Sequence, residues 1–199
     1  MQRITLQKSN LNPNFIGAWT IEPFSLCDEI ISYFEAHKND QYIGITSGGK
    51  NLDVKDRVDI TIRPNQLHLP GNEVFNTYID SLLICYKDYI AQWPFLETVG
   101  AKVELGAFSL GRYQRGQHFQ KIHCERSSLN TLHRIFAWMT YLNDVDEGGE
   151  TFFEHYDLKI KPRKGLTIIW PAEWTHAHKG NVLHEGSKHI ITGWMNFPE

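Results

Sequence analysis

The feature that most constrains this chain is a change of rhythm at about Lys102. Beyond it, apolar residues come in short runs with period-two spacing, and no stretch keeps a helical period. Strands are predicted at Lys102 to Tyr113, Phe119 to Cys124, Arg134 to Leu142, Glu150 to Glu154, Leu158 to Lys161, Leu166 to Trp170, His176 to Lys179 and Lys188 to Phe197. Turn residues separate them, as in Arg115-Gly116, Glu147-Gly148-Gly149 and Pro162-Arg163-Lys164-Gly165. Eight strands without intervening helices require a sandwich or barrel of antiparallel sheets, and the jelly roll is one such solution.

The first half reads differently. Ser25 is placed to cap a helix, with Asp28 three positions on. Leu26, Ile30, Ile31 and Phe34 then keep helical spacing until Asn39 and Asp40. A longer helix is predicted from about Asn72 to Gln92, where Phe75, Ile79, Leu82, Leu83, Tyr86 and Ile90 form an apolar stripe that Pro94 ends. Between the two, Thr46 to Asp59 reads TSGGKNLDVKDRVD, a charge-dense stretch expected to bury little surface and to form a mobile loop or lid. The fold class is therefore mostly β with flanking helices: one domain over 1–199, with helical support over about 1–100 and a β core over about 101–199.

Composition narrows the class of function. With 41% apolar and 22% charged residues the chain is globular in character, and a net charge of -3 gives no reason to expect a nucleic-acid or anionic-membrane partner. Cys27, Cys85 and Cys124 are odd in number and far apart, which fits a reducing compartment. The first twenty residues lack the apolar core of a signal peptide and no later stretch could span a bilayer, so a soluble, cytoplasmic protein is expected.

Ten histidines are the unusual entry in that composition, and eight of them fall at or after residue 118. Side chains alternate along a strand, so in His123-Cys124-Glu125 the imidazole and the carboxylate project to one face and can reach a single metal. Trp174-Thr175-His176-Ala177-His178 offers two further imidazoles, expected to share a face. Two histidines and one carboxylate form the facial triad of non-haem Fe(II) oxygenases, although zinc would accept the same donors. Lys188, ten residues beyond His178, would be costly inside an apolar barrel unless it met an anion; the alternative is a lysine that faces solvent.

Three longer segments extend the pattern. Tyr141 to Thr151, YLNDVDEGGET, looks like a Y-L-N-x-V-x-x-G-G-E-T signature; Tyr113 to Phe119 resembles the lead into a first metal ligand; Lys161 to Gly165 resembles a turn before a later strand. Together, over roughly residues 100 to 197, these motifs resemble the 2-oxoglutarate and Fe(II)-dependent dioxygenases, most closely their prolyl 4-hydroxylase-like branch. The resemblance implies a double-stranded β-helix (jelly-roll) core with the N-terminal helices packed outside.

It also implies roles. His123 and Glu125 resemble the first two iron ligands, Lys188 the partner of the distal carboxylate of 2-oxoglutarate, and Tyr113 and Thr151 residues that hydrogen-bond that co-substrate. His178 matches the third ligand, because Gly180, Gly186 and Lys188 follow it at the family's intervals; His176 is the fallback. Arg134 resembles an arginine that contacts a peptide substrate, and Trp194 the tryptophan of the closing strand, also assigned to the substrate side. Where the branch usually has aspartate this chain has Glu125, whose retained carboxylate argues against a halogenase. The implied reaction uses Fe(II), 2-oxoglutarate and O2, with ascorbate as a further accessory, to hydroxylate a C–H bond, on a peptidyl proline by preference. Hydroxylation of a free amino acid or other small molecule, and a non-catalytic jelly-roll metal-binding protein, are the alternatives.

Overall fold

A computed structural model of the chain describes residues 2–4, 14–46, 48–100 and 102–198. Among these, the larger sheet contains β1 (Gln2–Arg3), β2 (Gly17–Thr20), β3 (Tyr42–Ile43), β4 (Val58–Ile62), β5 (Glu104–Leu105), β6 (Phe108–Gln114), β8 (Arg134–Tyr141), β11 (Leu166–Pro171) and β13 (Ser187–Asn196). A smaller sheet faces it, built from β7 (Phe119–His123), β9 (Thr151–Phe153), β10 (Leu158–Ile160) and β12 (His178–Gly180). The orders β11-β8-β13-β6 and β10-β9-β12-β7, all antiparallel, are those of a jelly roll. All eight predicted strands are present, the first divided into β5 and β6. β1 to β4 extend the larger sheet with first-half residues outside the predicted strands, although Val58–Ile62 alternates apolar and polar residues as a strand does.

Two cores share the larger sheet. On β8, Phe136 and Trp138 face the helices while Ala137, Met139 and Tyr141 face the barrel interior, so the strand is buried on both sides and reads as a continuous apolar run. The helices α1 (Ser25–Ala36) and α2 (Glu73–Gln92) cover the outer face with Ile30, Phe34, Phe75, Tyr78, Leu82 and Tyr89. Fully buried aromatic side chains such as Trp138 and Tyr78 each stabilise the fold by about 3 kcal/mol or more. The predicted cap at Ser25 is not made: Ser25 is already helical, Phe24 precedes the helix, and no side chain caps it. Pro94 ends α2 as expected, and a short α3 (Leu96–Gly100) follows. No described helix is long and apolar enough to cross a membrane.

The same alternation aims polar groups inward. On β13, Ile191 and Met195 pack toward the helices, while Lys188, Ile190 and Trp194 lie on the barrel side. That face, between the two sheets, is where the chemistry-bearing side chains collect.

Candidate metal and co-substrate site

Register brings the first three together. β7 pairs antiparallel with β12 so that His123 lies opposite His178, and Glu125 follows β7 by two residues. The Glu125 carboxylate Oε1 stands 3.7 Å from His123 Nε2 and 3.4 Å from His178 Nε2. All three ligand atoms lie within 4.8 Å of one another, slightly wider than the ~3 Å between adjacent donors each ~2.1 Å from one metal. Each histidine donates its Nδ1–H to a backbone carbonyl, His123 to Lys121 at 2.8 Å and His178 to His176 at 2.9 Å. Both Nε2 atoms therefore carry a lone pair toward Glu125, the tautomer a metal requires.

Electrostatics agree with that protonation. Burial, and then neighbouring His178, push His123 down to about 4, so its imidazole is neutral at physiological pH. Burial opposes charge on Glu125, yet the neighbouring His178 and His123 and the Trp194 N–H bring it down to about 2. The donor set is thus two imidazoles and one carboxylate, which fits Fe(II).

Glu125 is held from behind. Trp194 Nε1–H donates to Oε2 at 2.7 Å, leaving Oε1 for the histidines. Arg134 donates to the Glu125 backbone carbonyl at 3.0 Å, and its guanidinium lies 3.7 Å from the Trp194 ring centroid. The two residues assigned from sequence to the substrate therefore make their contacts here with a metal-ligand candidate.

His176 and His178 do not share a face, contrary to the expectation from alternation. Residues Trp174–His176 form a 3₁₀ turn, and the strand begins at His178. His176 points elsewhere: its Nε2–H donates to the Asn14 carbonyl at 2.8 Å, and Nδ1 accepts from the Thr175 hydroxyl at 3.0 Å.

Deeper in the barrel, Lys188 is 2% exposed, and among the described residues it has no carboxylate within ion-pair distance. Its ammonium donates to the Gly149 carbonyl at 2.6 Å and lies 4.5 Å and 5.7 Å from the Tyr113 and Tyr141 ring centroids. Burial, and then the charge of Arg57, push Lys188 down to about 7. An anion entering here would relieve that penalty. Thr151 sits in the same interior and accepts a 2.6 Å hydrogen bond from the Tyr141 hydroxyl.

The signature segment builds this pocket. Gly148 and Gly149 have φ of 78° and 69°, and a Cβ on Gly148 would come within 2.3 Å of the Val182 carbonyl oxygen. Asn143 accepts from His189 N–H at 2.7 Å and donates to the Ser187 carbonyl at 2.8 Å, bracketing Lys188 on its strand.

The Thr46 to Asp59 stretch corrects another expectation. Its charged end is buried: Lys55, Arg57 and Asp59 are 7%, 6% and 1% exposed, and Val58 opens β4. The charges enter as one ion-paired set that shares a single carboxylate, with Asp59 2.8 Å from Lys55 Nζ and 2.6 Å from Arg57 Nε. Gly44 and Gly111 leave room, since a Cβ on either would meet this cluster at 2.8 to 3.1 Å. Arg57 then reaches Tyr113, donating to its hydroxyl at 3.0 Å. The sequence carried a signal for this, because charges at 55, 57 and 59 have the period of one strand face.

A model described as "2OG-Fe(II) oxygenase superfamily" matches residues 108–196. A probable prolyl 4-hydroxylase 9 of Arabidopsis thaliana is 29% identical over 115 residues, covering 45% of this chain and 40% of that protein. The prolyl 4-hydroxylase subunit alpha-1 of Homo sapiens is 27% identical over 75 residues, covering 34% and 14%. The chain thus spans less than half the length of these curated relatives. Among solved structures, a Pseudomonas putida prolyl-4-hydroxylase shares the fold with a TM-score of 0.70 at 14% identity, covering 96% of both chains. A Trichoplax adhaerens prolyl hydroxylase, solved with a hypoxia inducible factor peptide fragment, also reaches 0.70, at 15% identity over 94% of this chain and 85% of that one. Family model, relatives and folds point the same way as the site: residues 108–196 match the 2OG-Fe(II) oxygenase superfamily, and the fold is shared with solved prolyl hydroxylases.

Proposed function

We propose that this chain is a 2-oxoglutarate- and Fe(II)-dependent dioxygenase that hydroxylates a peptidyl proline. The observation that carries the proposal is the His123, Glu125, His178 cluster in the same barrel as a buried lysine without a carboxylate partner. In this reading those three residues hold the metal and leave open positions on it. Lys188 takes the distal carboxylate of 2-oxoglutarate, and Tyr113 and Thr151 hydrogen-bond the same molecule. Bound there, Fe(II), 2-oxoglutarate and O2 supply oxidative decarboxylation to succinate and CO2 coupled to C–H hydroxylation.

The chain's own side chains orient and exclude. Phe119 stacks on His123 with ring centroids 4.0 Å apart, and Phe153 and Trp170 pack against His178, limiting water at the metal. Arg134 and Trp194, beside Glu125, form the wall that meets the substrate while holding that ligand. The hydrogen abstraction needs no protein general base.

A peptide acceptor is supported by the prolyl 4-hydroxylase relatives and by the peptide complex of the Trichoplax structure. The segment leading away from Glu125 also exposes Leu129 and Leu132, apolar surface suited to an extended chain. We take 1–199 as a single functional domain, since the helices and the barrel interior pack on the two faces of one sheet. Its proposed setting is a cytoplasmic, reducing one, which three widely spaced cysteines, odd in number, fit.

The test is mass spectrometry on a library of proline-containing peptides with Fe(II), 2-oxoglutarate and ascorbate. The expected result is a gain of one oxygen on proline, matched by succinate. Succinate coupled to oxidation of a free amino acid would replace the peptide assignment. Tight zinc binding with no 2-oxoglutarate consumption would replace the enzyme assignment.

A further inference from the structure

We infer that Arg57, delivered from the 46–59 segment, is a positioning residue that fixes the Tyr113 hydroxyl as a hydrogen-bond donor to the co-substrate. The inference deepens the oxygenase reading and rests on it. Hydrogen-bond direction carries the argument. A guanidinium has no acceptor, so in the 3.0 Å contact Arg57 NH1 must donate and the Tyr113 oxygen must accept. The Tyr113 hydroxyl hydrogen is then left without an acceptor among the described residues, on a side chain that is only 4% exposed. A buried O–H that cannot be satisfied within the protein points to a ligand oxygen.

A second hydroxyl in the barrel is arranged alike. Thr151 Oγ1 accepts from the Tyr141 hydroxyl at 2.6 Å, so its own hydrogen is also free to donate. Tyr113 and Tyr141 flank the Lys188 ammonium, so the two relays, Arg57 to Tyr113 and Tyr141 to Thr151, converge around one buried cation. That is a receptor for carboxylate oxygens: one charge and two aimed donors.

Arg57 is itself fixed. Asp59 pairs with it at 2.6 Å, and the guanidinium passes over Gly111, where a Cβ would stand 3.1 Å from its central carbon. Lys55 shares the same Asp59, so removing the Arg57 charge leaves that carboxylate paired. The consequence is that the 46–59 segment acts on co-substrate affinity from outside the jelly-roll motifs.

The experiment is a double-mutant cycle on 2-oxoglutarate affinity, read anaerobically from the visible charge-transfer band of the Fe(II) chelate, for wild type, Arg57→Gln, Tyr113→Phe and the double variant. Each single change is expected to weaken 2-oxoglutarate about tenfold, the value of one hydrogen bond to a charged group. The double variant is expected to be no weaker than Tyr113→Phe alone. A merely structural role for Arg57 would instead give effects that multiply, toward a hundredfold, and that result overturns the inference. Unchanged affinity in Tyr113→Phe overturns it as well, whether or not Arg57→Gln folds. A wild-type protein with no such band fails the oxygenase reading itself, and the inference with it; a normal band with insensitive variants fails the inference alone.

Discussion

Replacing Trp194 by phenylalanine removes the donor behind Glu125 and keeps an aromatic ring under Arg134. The indole N–H lies 2.7 Å from Oε2, and the nearest alternative donor, Arg134 NH1, stands at 3.8 Å, too far to replace it without moving. Without that bond the carboxylate can rotate, and Oε1 is no longer aimed at His123 and His178. A hydrogen bond to a charged acceptor contributes about 1.5 to 3 kcal/mol. Because Trp194 acts through the orientation of the ligand, that loss should appear in metal affinity, as ~10- to 100-fold weaker binding. The assay is an anaerobic Fe(II) titration of wild type and Trp194→Phe, with Mn(II) as a redox-inert control. A thermal melt in chelator should change little, since the ring still packs on Arg134, whose guanidinium lies 3.7 Å away in the native protein. Metal affinity equal to wild type in a folded variant would refute the idea that Trp194 aims Glu125.

Other substitutions probe the same geometry. His178→Ala should abolish Fe(II)-dependent turnover while His176→Ala, which breaks the contact with Asn14, only reduces it; the reverse pattern would move the ligand by two residues. Glu125→Asp withdraws the carboxylate by about 1.5 Å, so it cannot keep both Trp194 and the histidines without backbone movement. Iron should still bind, ~10-fold more weakly, with measurable turnover; equal affinity would show that the surrounding shell adapts freely. Lys188, held at about 7 by burial, gives up in the fold a proton that the unfolded chain keeps, so metal- and co-substrate-free protein should gain stability as pH rises above 7 toward the ordinary lysine range. Denaturant melts should show this slope in wild type and not in Lys188→Met. The same shift makes 2-oxoglutarate binding take up a proton near pH 8.5; calorimetry in buffers of different ionisation enthalpy would find none if Lys188 stayed neutral in the complex.

Much of the fold was legible because its information is local. Period-two alternation with turn punctuation reports strand boundaries directly, and β6 to β13 lie where the short apolar runs stand. The helices were equally plain from their stripes, although the Ser25 cap was not, since a capping residue works only if the chain enters at the right backbone angle. The charged 46–59 segment misled because exposure was judged residue by residue. Lys55, Arg57 and Asp59 are buried only as an ion-paired set, and that set fits because Gly44 and Gly111 make space.

The candidate site divides along the same line. By itself the sequence determined the donor types, the nearness of His123 to Glu125 and the cationic residue on the last strand, because short separation along the chain is enough to place them. The intervals of the resemblance already favour His178 over His176, and the tertiary structure supplies the register that sets His178 opposite His123, since a 3₁₀ turn interrupts the alternation just before β12. It alone brought Arg57 to Tyr113 and Trp194 to Glu125, contacts across 56 and 69 residues of chain. Such contacts follow from how antiparallel strands register across two sheets, and that is fixed by the packing of the whole barrel rather than by any segment within it.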